Sequence, residues 1–249
     1  MKKILFRADD LGYSEAVNYG IEKSIKNGLI RNVGIMVNME ASDHGIALIT
    51  STDVCVGLHV NISNGYPLSE LQSIKSITTE KGVFKSTKEY TQSTEDIVIL
   101  EEALLEVEAQ YHKFIELVGR KPAYMDGHAV SSSNFFKAII MIADKYEIKY
   151  SPLSISMEEP VEIGNTMVYL YGGSTKEKSP KECLYEVVSN MDDNSCSLIV
   201  YHPGYLDAYI LESSSLTLSR PFETQMLISD EIKTYINEEH ISCITYDEL

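Results

Sequence analysis

Several side chains that could bind a metal ion or transfer a proton stand directly after apolar stretches of this chain. The set consists of Asp9, Asp10, Asn38, His59, Asn61, Asp126, His128 and His202. One carboxylate and two imidazoles can bind a single metal ion and leave positions open for water and substrate. Water on such an ion is acidified and can attack a carbonyl carbon. A second carboxylate could be the general base, and a further histidine could protonate the leaving group.

Each of these residues also has a purely structural explanation. Asp9 or Asp10 could cap the turn into the next helix, and His59 could be a core histidine. Asp126 precedes a glycine in a common turn dipeptide, and "HPG" is an ordinary turn sequence. However, independent turns and caps have no reason to place aspartates and histidines at the same end of several strands. We therefore interpret them as one site.

Alternating strand and helix patterns would position these side chains. A buried strand at 2–8 precedes a helix at 14–27, and "IRNVGIMVNM", "VCVGLHVNI", "PAYMDGH" and "SCSLIVY" predict further strands. A long amphipathic helix ends at Gly119, and another helix is predicted near 222–236. Seven or eight strands with helices between them predict an α/β fold, an irregular TIM-like (β/α) barrel that forms a single domain over residues 1–249. Active sites of such barrels lie at the carboxyl ends of the strands, where the polar residues stand.

The adjacent pair Asp9 and Asp10 poses a geometric problem. Successive side chains of an ideal strand point to opposite faces of the sheet. Both carboxylates can reach one pocket only if the strand ends or bends between them. Gly12, which follows closely, is consistent with such a bend.

Composition and charge argue against several other classes of protein. The formal net charge is −16, and no cluster of Lys and Arg alternates with aromatics, so we expect no binding to nucleic acid or to an anionic membrane. No apolar run approaches the ~18 residues of a membrane span. The four scattered cysteines predict buried thiols, without a disulfide framework or a zinc knuckle. We expect a cytoplasmic protein, with a homodimer as the default assembly.

Five motifs occur in a fixed order along the chain: "RADDLGYSEAVNYGI", "GLHVNISNGYPL", "YMDGHAV", "YHPGY" and "SRPFETQML". In order and separation they resemble the YdjC-like carbohydrate deacetylases, the family that contains chitooligosaccharide deacetylase. The resemblance extends from the first strand to the last. It implies an irregular (β/α) barrel that removes acetyl groups from N-acetylated sugars or oligosaccharides with a bound divalent metal ion, for which magnesium and zinc are the candidates.

The resemblance also implies roles for individual residues. Asp10, His59 and His128 would bind the metal. Asp9 would be the general base, and His202 is the candidate general acid. The implied mechanism is attack of metal-bound water on the acetamide carbonyl, stabilisation of the oxyanion by the metal and protonation of the sugar amine.

The remaining candidates concern substrate binding. A polar stretch from 63 to about 93 interrupts the strand and helix pattern and predicts a functional loop or lid. The candidate substrate-binding residues are Asn61, Tyr66, Asp126 and Tyr205. For each of the two tyrosines, packing within its own loop is an equally good interpretation.

The sequence departs from the family pattern in two places. Family members usually show D-x-H-x-H, whereas Ala129 and Val130 follow His128 here. An arginine often found after the next helix has no clear counterpart, although Lys149 is nearby. Two alternatives to the deacetylase therefore stay open. They are another metal-dependent hydrolase on the same barrel, acting on a cyclic amide or a phosphodiester, and a metal- or sugar-binding relative that has lost turnover.

Overall fold

The computed structural model describes residues 1–152 and 159–249, which form nine strands and nine α-helices. The strands are β1 (Lys3–Leu11), β2 (Asn32–Ile35), β3 (Cys55–Val60), β4 (Tyr124–Gly127), β5 (Lys149–Tyr150), β6 (Val161–Ile163), β7 (Thr166–Gly172), β8 (Cys196–Tyr201) and β9 (Ser242–Cys243). The helices are α1 (Glu15–Lys26), α2 (Ser42–Ile49), α3 (Thr87–Gln92), α4 (Leu100–Val118), α5 (Ser133–Lys145), α6 (Pro180–Ser189), α7 (Ala208–Ser213), α8 (Ser219–Leu227) and α9 (Asp230–Glu238).

The strands form a nearly closed barrel. They follow one another in the order β5-β4-β3-β2-β1-β8-β7-β6. Strand β9 pairs with Lys3 and Ile4 of β1, whereas β2 pairs with β1 from Arg7 onward. Pairing between the described strands is parallel except between β6 and β7. The prediction of an irregular TIM-like α/β barrel is confirmed. The carboxyl ends of β1, β3, β4 and β8 therefore lie at the same end of the barrel.

Local sequence signals explain where the principal helices begin and end. The Ser14 side chain accepts a hydrogen bond from the backbone N–H of Val17 and so caps α1. Helix α4 ends at Gly119, whose φ of 78° is readily available only to glycine. The single helix predicted near 222–236 is wrong, because the chain leaves helical geometry at Ser229 and starts α9 there. Ser229 is extended and is followed by Asp230, which is a helix N-terminal pattern.

The polar stretch from 63 to 93 is packed against α4. Buried Glu106 accepts hydrogen bonds from the backbone N–H groups of Leu68 and Ser69. Buried Gln110 forms hydrogen bonds with both the N–H and the carbonyl of Asn61, two residues before the stretch. These contacts fix the stretch as part of the wall above the barrel.

Across 1–152 and 159–249, no helix has both the length and the apolar character that crossing a membrane requires.

Candidate metal and acid-base site

The end of β1 bends between the two aspartates. Asp10 has a φ of 77° and Gly12 a φ of 104°, both in the left-handed region. The register between β1 and β2 shifts in the same place, between Ala8 and Leu11. A bulge of this kind redirects a side chain that would otherwise point to the opposite face. As a result, Asp9 and Asp10 both line one cavity of about 810 Å³ at the carboxyl end of the barrel.

Three potential ligand atoms converge beside this cavity. Asp10 Oδ1 lies 3.0 Å from His128 Nδ1 and 3.4 Å from His59 Nε2, and the two imidazole nitrogens are 3.1 Å apart. Donors bound at zinc-ligand distances to one ion are themselves separated by about 3 Å. Asp10 Oδ1 is also buried without a hydrogen-bond partner among the described residues. The three side chains therefore fit a single metal ion.

The two imidazoles are oriented by neighbours on their other nitrogens. His59 Nδ1 lies 3.0 Å from Asp126 Oδ2, so donation of its N–H to that carboxylate leaves Nε2 as the free lone pair. Carboxylates commonly orient metal-binding histidines in this manner. His128 Nε2 lies 3.2 Å from Asn64 Nδ2, on the segment above the barrel. Asp126 thus lies behind a candidate ligand and does not face the cavity.

Arg7 connects Asp9, the candidate general base, to Asp126. Its guanidinium is buried and donates to Asp9 Oδ2 at 2.8 Å and to Asp126 Oδ2 at 2.9 Å. It also donates to Ser151 and Tyr246. Sequence reasoning missed Arg7. The available signal was its spacing of two residues from Asp9, which places both on the same face of β1.

A second group that could hold a metal consists of Asp9, His59 and Asp126. Because the cationic guanidinium of Arg7 already pairs with both of its carboxylates, this group is less suited to an ion than the first. Burial raises the pKa of Asp9, and the nearby Asp126 adds to that rise despite Arg7. For Asp126, burial is outweighed by Arg7 and His59, and the pKa is lowered. Asp9 is thus the better proton acceptor of the two.

Asp10 forms a buried ion pair with a different arginine. Arg220, on α8, donates to Asp10 Oδ2 at 2.7 Å, and both side chains are buried. Burial alone would raise the pKa of Asp10, but His128 and Arg220 hold it well below its ordinary value. Asp10 therefore stays ionised, as a metal ligand must. Arg220 belongs to the "SRPFETQML" motif, but sequence reasoning gave it no role.

His202 follows β8 and lines the same cavity. Burial lowers its pKa to about 4, so its imidazole is neutral near pH 7. Glu223 of α8 lies next to it and accepts a hydrogen bond from the His202 backbone N–H. Burial raises the pKa of Glu223 to about 7. Sequence reasoning missed Glu223 because nothing in a helical "PFET" marks a buried carboxylate.

The structure does not bring the candidate substrate-binding residues to the cavity wall. Asn61 is buried, and its Oδ1 accepts from the backbone N–H groups of Ser63 and Asn64, which holds the start of the loop. Tyr66 and Tyr205 are 60% and 42% exposed, and neither lines the cavity within the described part of the chain. The polar wall instead comes from hydroxyl side chains, including Ser86, Thr87, Thr91, Ser131, Ser213 and Ser215.

The positions that depart from the family pattern have different environments. Ala129 has a left-handed φ of 51° and is exposed at the cavity. Val130 is fully buried in the main core cluster and also contributes to the cavity wall. Lys149 lies behind the site, where its Nζ donates to the Tyr246 carbonyl at 2.7 Å. Lys149 therefore holds the short 3-10 turn that begins at Tyr246, a partner of Arg7, and this contact does not involve the candidate ligands.

Barrel and site together define a (β/α)-barrel protein with a group that could hold one metal ion at the carboxyl ends of its strands. Residues 3–238 match the family described as "YdjC-like protein", and the chain belongs to this family. The resemblance inferred from the motifs is confirmed.

Similar proteins match this chain along nearly their whole length. The chain is 31% identical to Carbohydrate deacetylase 2 of Listeria innocua, covering 99% of this chain and 98% of the relative. It is 30% identical to a carbohydrate deacetylase of Clostridium beijerinckii, covering 99% and 100%. A crystal structure from Enterococcus faecalis, described as that of a cellobiose-phosphate cleavage protein, superposes with a TM-score of 0.84 at 24% identity, covering 99% and 98%. This last likeness shows a common fold.

Proposed function

We propose that this protein is a metal-dependent hydrolase that removes the acetyl group from an N-acetylated sugar or oligosaccharide. The observation that carries the proposal is the separation of the two aspartates. Asp10 joins His59 and His128 in a triangle of ligand atoms, whereas Asp9 stands outside that triangle at the same cavity. The names of the relatives as carbohydrate deacetylases support the substrate class.

Asp10, His59 and His128 would hold a divalent ion. Two imidazoles and one carboxylate suit zinc, and magnesium is the second candidate. A bound ion supplies Lewis acidity, which polarises an acetyl carbonyl and acidifies water. Asp126 and Arg220 orient the ligands from behind, through His59 Nδ1 and Asp10 Oδ2 respectively.

Asp9 accepts the proton of the attacking water in this proposal. Its Oδ2 is tied to Arg7, while its Oδ1 has no hydrogen-bond partner among the described residues. Because burial and Asp126 raise its pKa, the carboxylate is more basic than an exposed aspartate. Arg7 fixes the orientation of the side chain, so Oδ1 is the proton acceptor.

His202 takes up a proton from solvent as the reaction proceeds and delivers it to the departing sugar nitrogen, while Asp9 returns the proton of the attacking water to solvent. Its low pKa means that the imidazolium, once formed, releases its proton readily. Negative charge that develops in the cavity during the reaction favours protonation of the ring, because opposite charges nearby stabilise the charged form. The imidazole is on the cavity wall, where an acid must be to reach a bound substrate.

The serine and threonine side chains on the cavity wall support a sugar as the substrate. Its volume of about 810 Å³ lies in the range of small-molecule sites. Serine and threonine hydroxyls can donate and accept, which matches the hydroxyl groups of a sugar ring. The single domain over residues 1–249, the cytoplasmic location and the homodimer stay predictions from the sequence.

Acetate release from a panel of N-acetylated sugars tests the proposal. Protein stripped of metal should be inactive, and zinc or magnesium should restore acetate release on at least one member of the panel. Metal binding without acetate release from any sugar would contradict the proposal and favour the binding protein that has lost turnover. Hydrolysis of a cyclic amide or a phosphodiester instead would favour the other hydrolase.

A further inference from the structure

Glu223 connects the ends of two neighbouring strands at the cavity. Its carboxylate is buried, at 1% exposure. One oxygen accepts from the hydroxyl of Ser174, which follows β7, and the other accepts from the backbone N–H of His202, which follows β8. Both contacts are made across the cavity end of the barrel, far from Glu223 in sequence.

Both oxygens of Glu223 are engaged by these hydrogen bonds. The carboxylate also borders the cavity, but one oxygen contacts the Ser174 hydroxyl and the other contacts the His202 backbone N–H. The hydrogen bond from the His202 N–H is directional, so it restrains the backbone of that residue. The residue whose backbone is fixed here is the candidate acid itself.

We propose that Glu223 is a positioning residue that holds His202 in the orientation needed for proton transfer to the leaving nitrogen. This inference rests on the proposed function, which makes His202 the acid. In this proposal Glu223 affects the reaction only by orienting His202.

The same face of α8 also contacts a candidate metal ligand. Arg220, three residues before Glu223, bonds to Asp10 Oδ2, and residues three apart lie side by side on a helix. The loop after His202 has a separate tie to α8, because the Gly204 N–H donates to Thr224 Oγ1 at 2.9 Å. Loss of Glu223 should therefore release His202 locally while Thr224 keeps the loop attached.

Four variants test the inference: Glu223→Ala, Glu223→Gln, His202→Ala and the double variant Glu223→Ala with His202→Ala. Glu223→Ala should lower kcat on an N-acetylated sugar by about 100-fold, the loss that a misplaced group can cause, with KM and metal content unchanged. Glu223→Gln should keep most of the activity, because its amide oxygen can accept from the His202 N–H and its amino group can donate to Ser174. Glu231→Ala is the control, since the partners of that exposed carboxylate within 1–152 and 159–249 are Lys181 and Tyr185 of α6.

The double variant separates positioning from an independent effect. If Glu223 acts through His202, its replacement should cost little more once the imidazole is gone, since the effects of coupled residues do not add. Equal losses from Glu223→Ala in both backgrounds would overturn the inference, as would wild-type kcat in Glu223→Ala.

Hydrogen exchange of the His202 backbone amide gives a readout that does not depend on the reaction. Exchange should be slow in the wild type and in Glu223→Gln and fast in Glu223→Ala, while the amide of Gly204 stays protected. Unchanged exchange at His202 would overturn the positioning role. If the wild type releases no acetate, the proposed function fails, and this measurement still decides whether Glu223 holds His202.

Discussion

Asp9 and Asp10 are neighbours in the chain, yet each pairs with a different arginine. Arg7 donates to Asp9 at 2.8 Å, and Arg220 donates to Asp10 at 2.7 Å. The left-handed φ of 77° at Asp10 makes this divergence possible. The pKa of Asp9 is raised and that of Asp10 is lowered. Pairs of titratable groups whose pKa values are pushed apart are typical of sites that need one proton acceptor and one permanently charged group.

The space for the Asp9 carboxylate depends on Gly34 of β2. A Cβ at this position would lie 2.7 Å from Asp9 Oδ1 and 3.1 Å from His59 Cβ. Gly34→Ala must therefore displace Asp9 or His59. We expect turnover to fall by at least about 10-fold, together with a loss of roughly 1–3 kcal/mol of stability from overpacking. Steady-state kinetics and thermal unfolding measure the two effects.

Gly119→Ala is the matched control for that substitution. A Cβ there would contact nothing within 4 Å, but the φ of 78° is strained for alanine. The cost should be about 1 kcal/mol of stability, without an effect on turnover. Wild-type turnover in Gly34→Ala would show that the Asp9 carboxylate does not need its present position.

Replacing His202 should affect substrates according to their leaving groups. His202→Ala should lower turnover on an N-acetylated sugar by about 10²–10⁴-fold, the usual contribution of a general acid. An aryl acetate ester has a better leaving group and needs less protonation, so its turnover should fall less. Parallel kinetics on both substrates, with metal content as a control, measure this difference. Equal impairment on amide and ester would assign His202 a role in shaping the pocket.

The raised pKa of Glu223 predicts how stability depends on pH. The folded-state pKa is about 7, against an ordinary value of 4.5. Between these pH values the folded state binds more protons than the unfolded state, so the free energy of unfolding falls as pH rises. The Glu223 contribution to that loss is up to about 3 kcal/mol and is complete above pH 7.

Urea denaturation of the metal-free wild type and of Glu223→Gln at several pH values measures this contribution. Glutamine does not titrate, so the variant should gain stability relative to the wild type as pH rises from about 4.5 to 7. A constant difference across that interval would show that the Glu223 pKa is not raised.

The sequence predicted the barrel and the convergence of strand-end residues because parallel strands share a carboxyl edge. His59 and His128 could therefore be placed together although they are far apart in sequence. The same reasoning made Asp126 a candidate for substrate binding, whereas its carboxylate contacts His59 and Arg7. The end of a strand could be predicted from the sequence, but not the direction in which its last side chains point. It also gave no basis for Arg220 and Glu223, because their contacts depend on how α8 packs in the folded chain. Arg220 contacts Asp10, more than 200 residues earlier in the sequence. Glu223 contacts His202, which follows β8. Tyr66 and Tyr205 were chosen by residue type. The sequence could not predict whether a tyrosine in a loop faces the cavity or the outer surface of the protein.

Separation of metal binding from proton transfer is tested most directly by comparing Asp9→Asn with His59→Ala. Metal content and acetate release should be measured on the same preparations, with His112→Ala as a control because that histidine is exposed on α4, away from the cavity. His59→Ala should lose the ion, whereas Asp9→Asn should keep it and lose about 10²–10⁴-fold in turnover. Equal loss of metal in both variants would contradict this assignment and place the ion in the group formed by Asp9, His59 and Asp126.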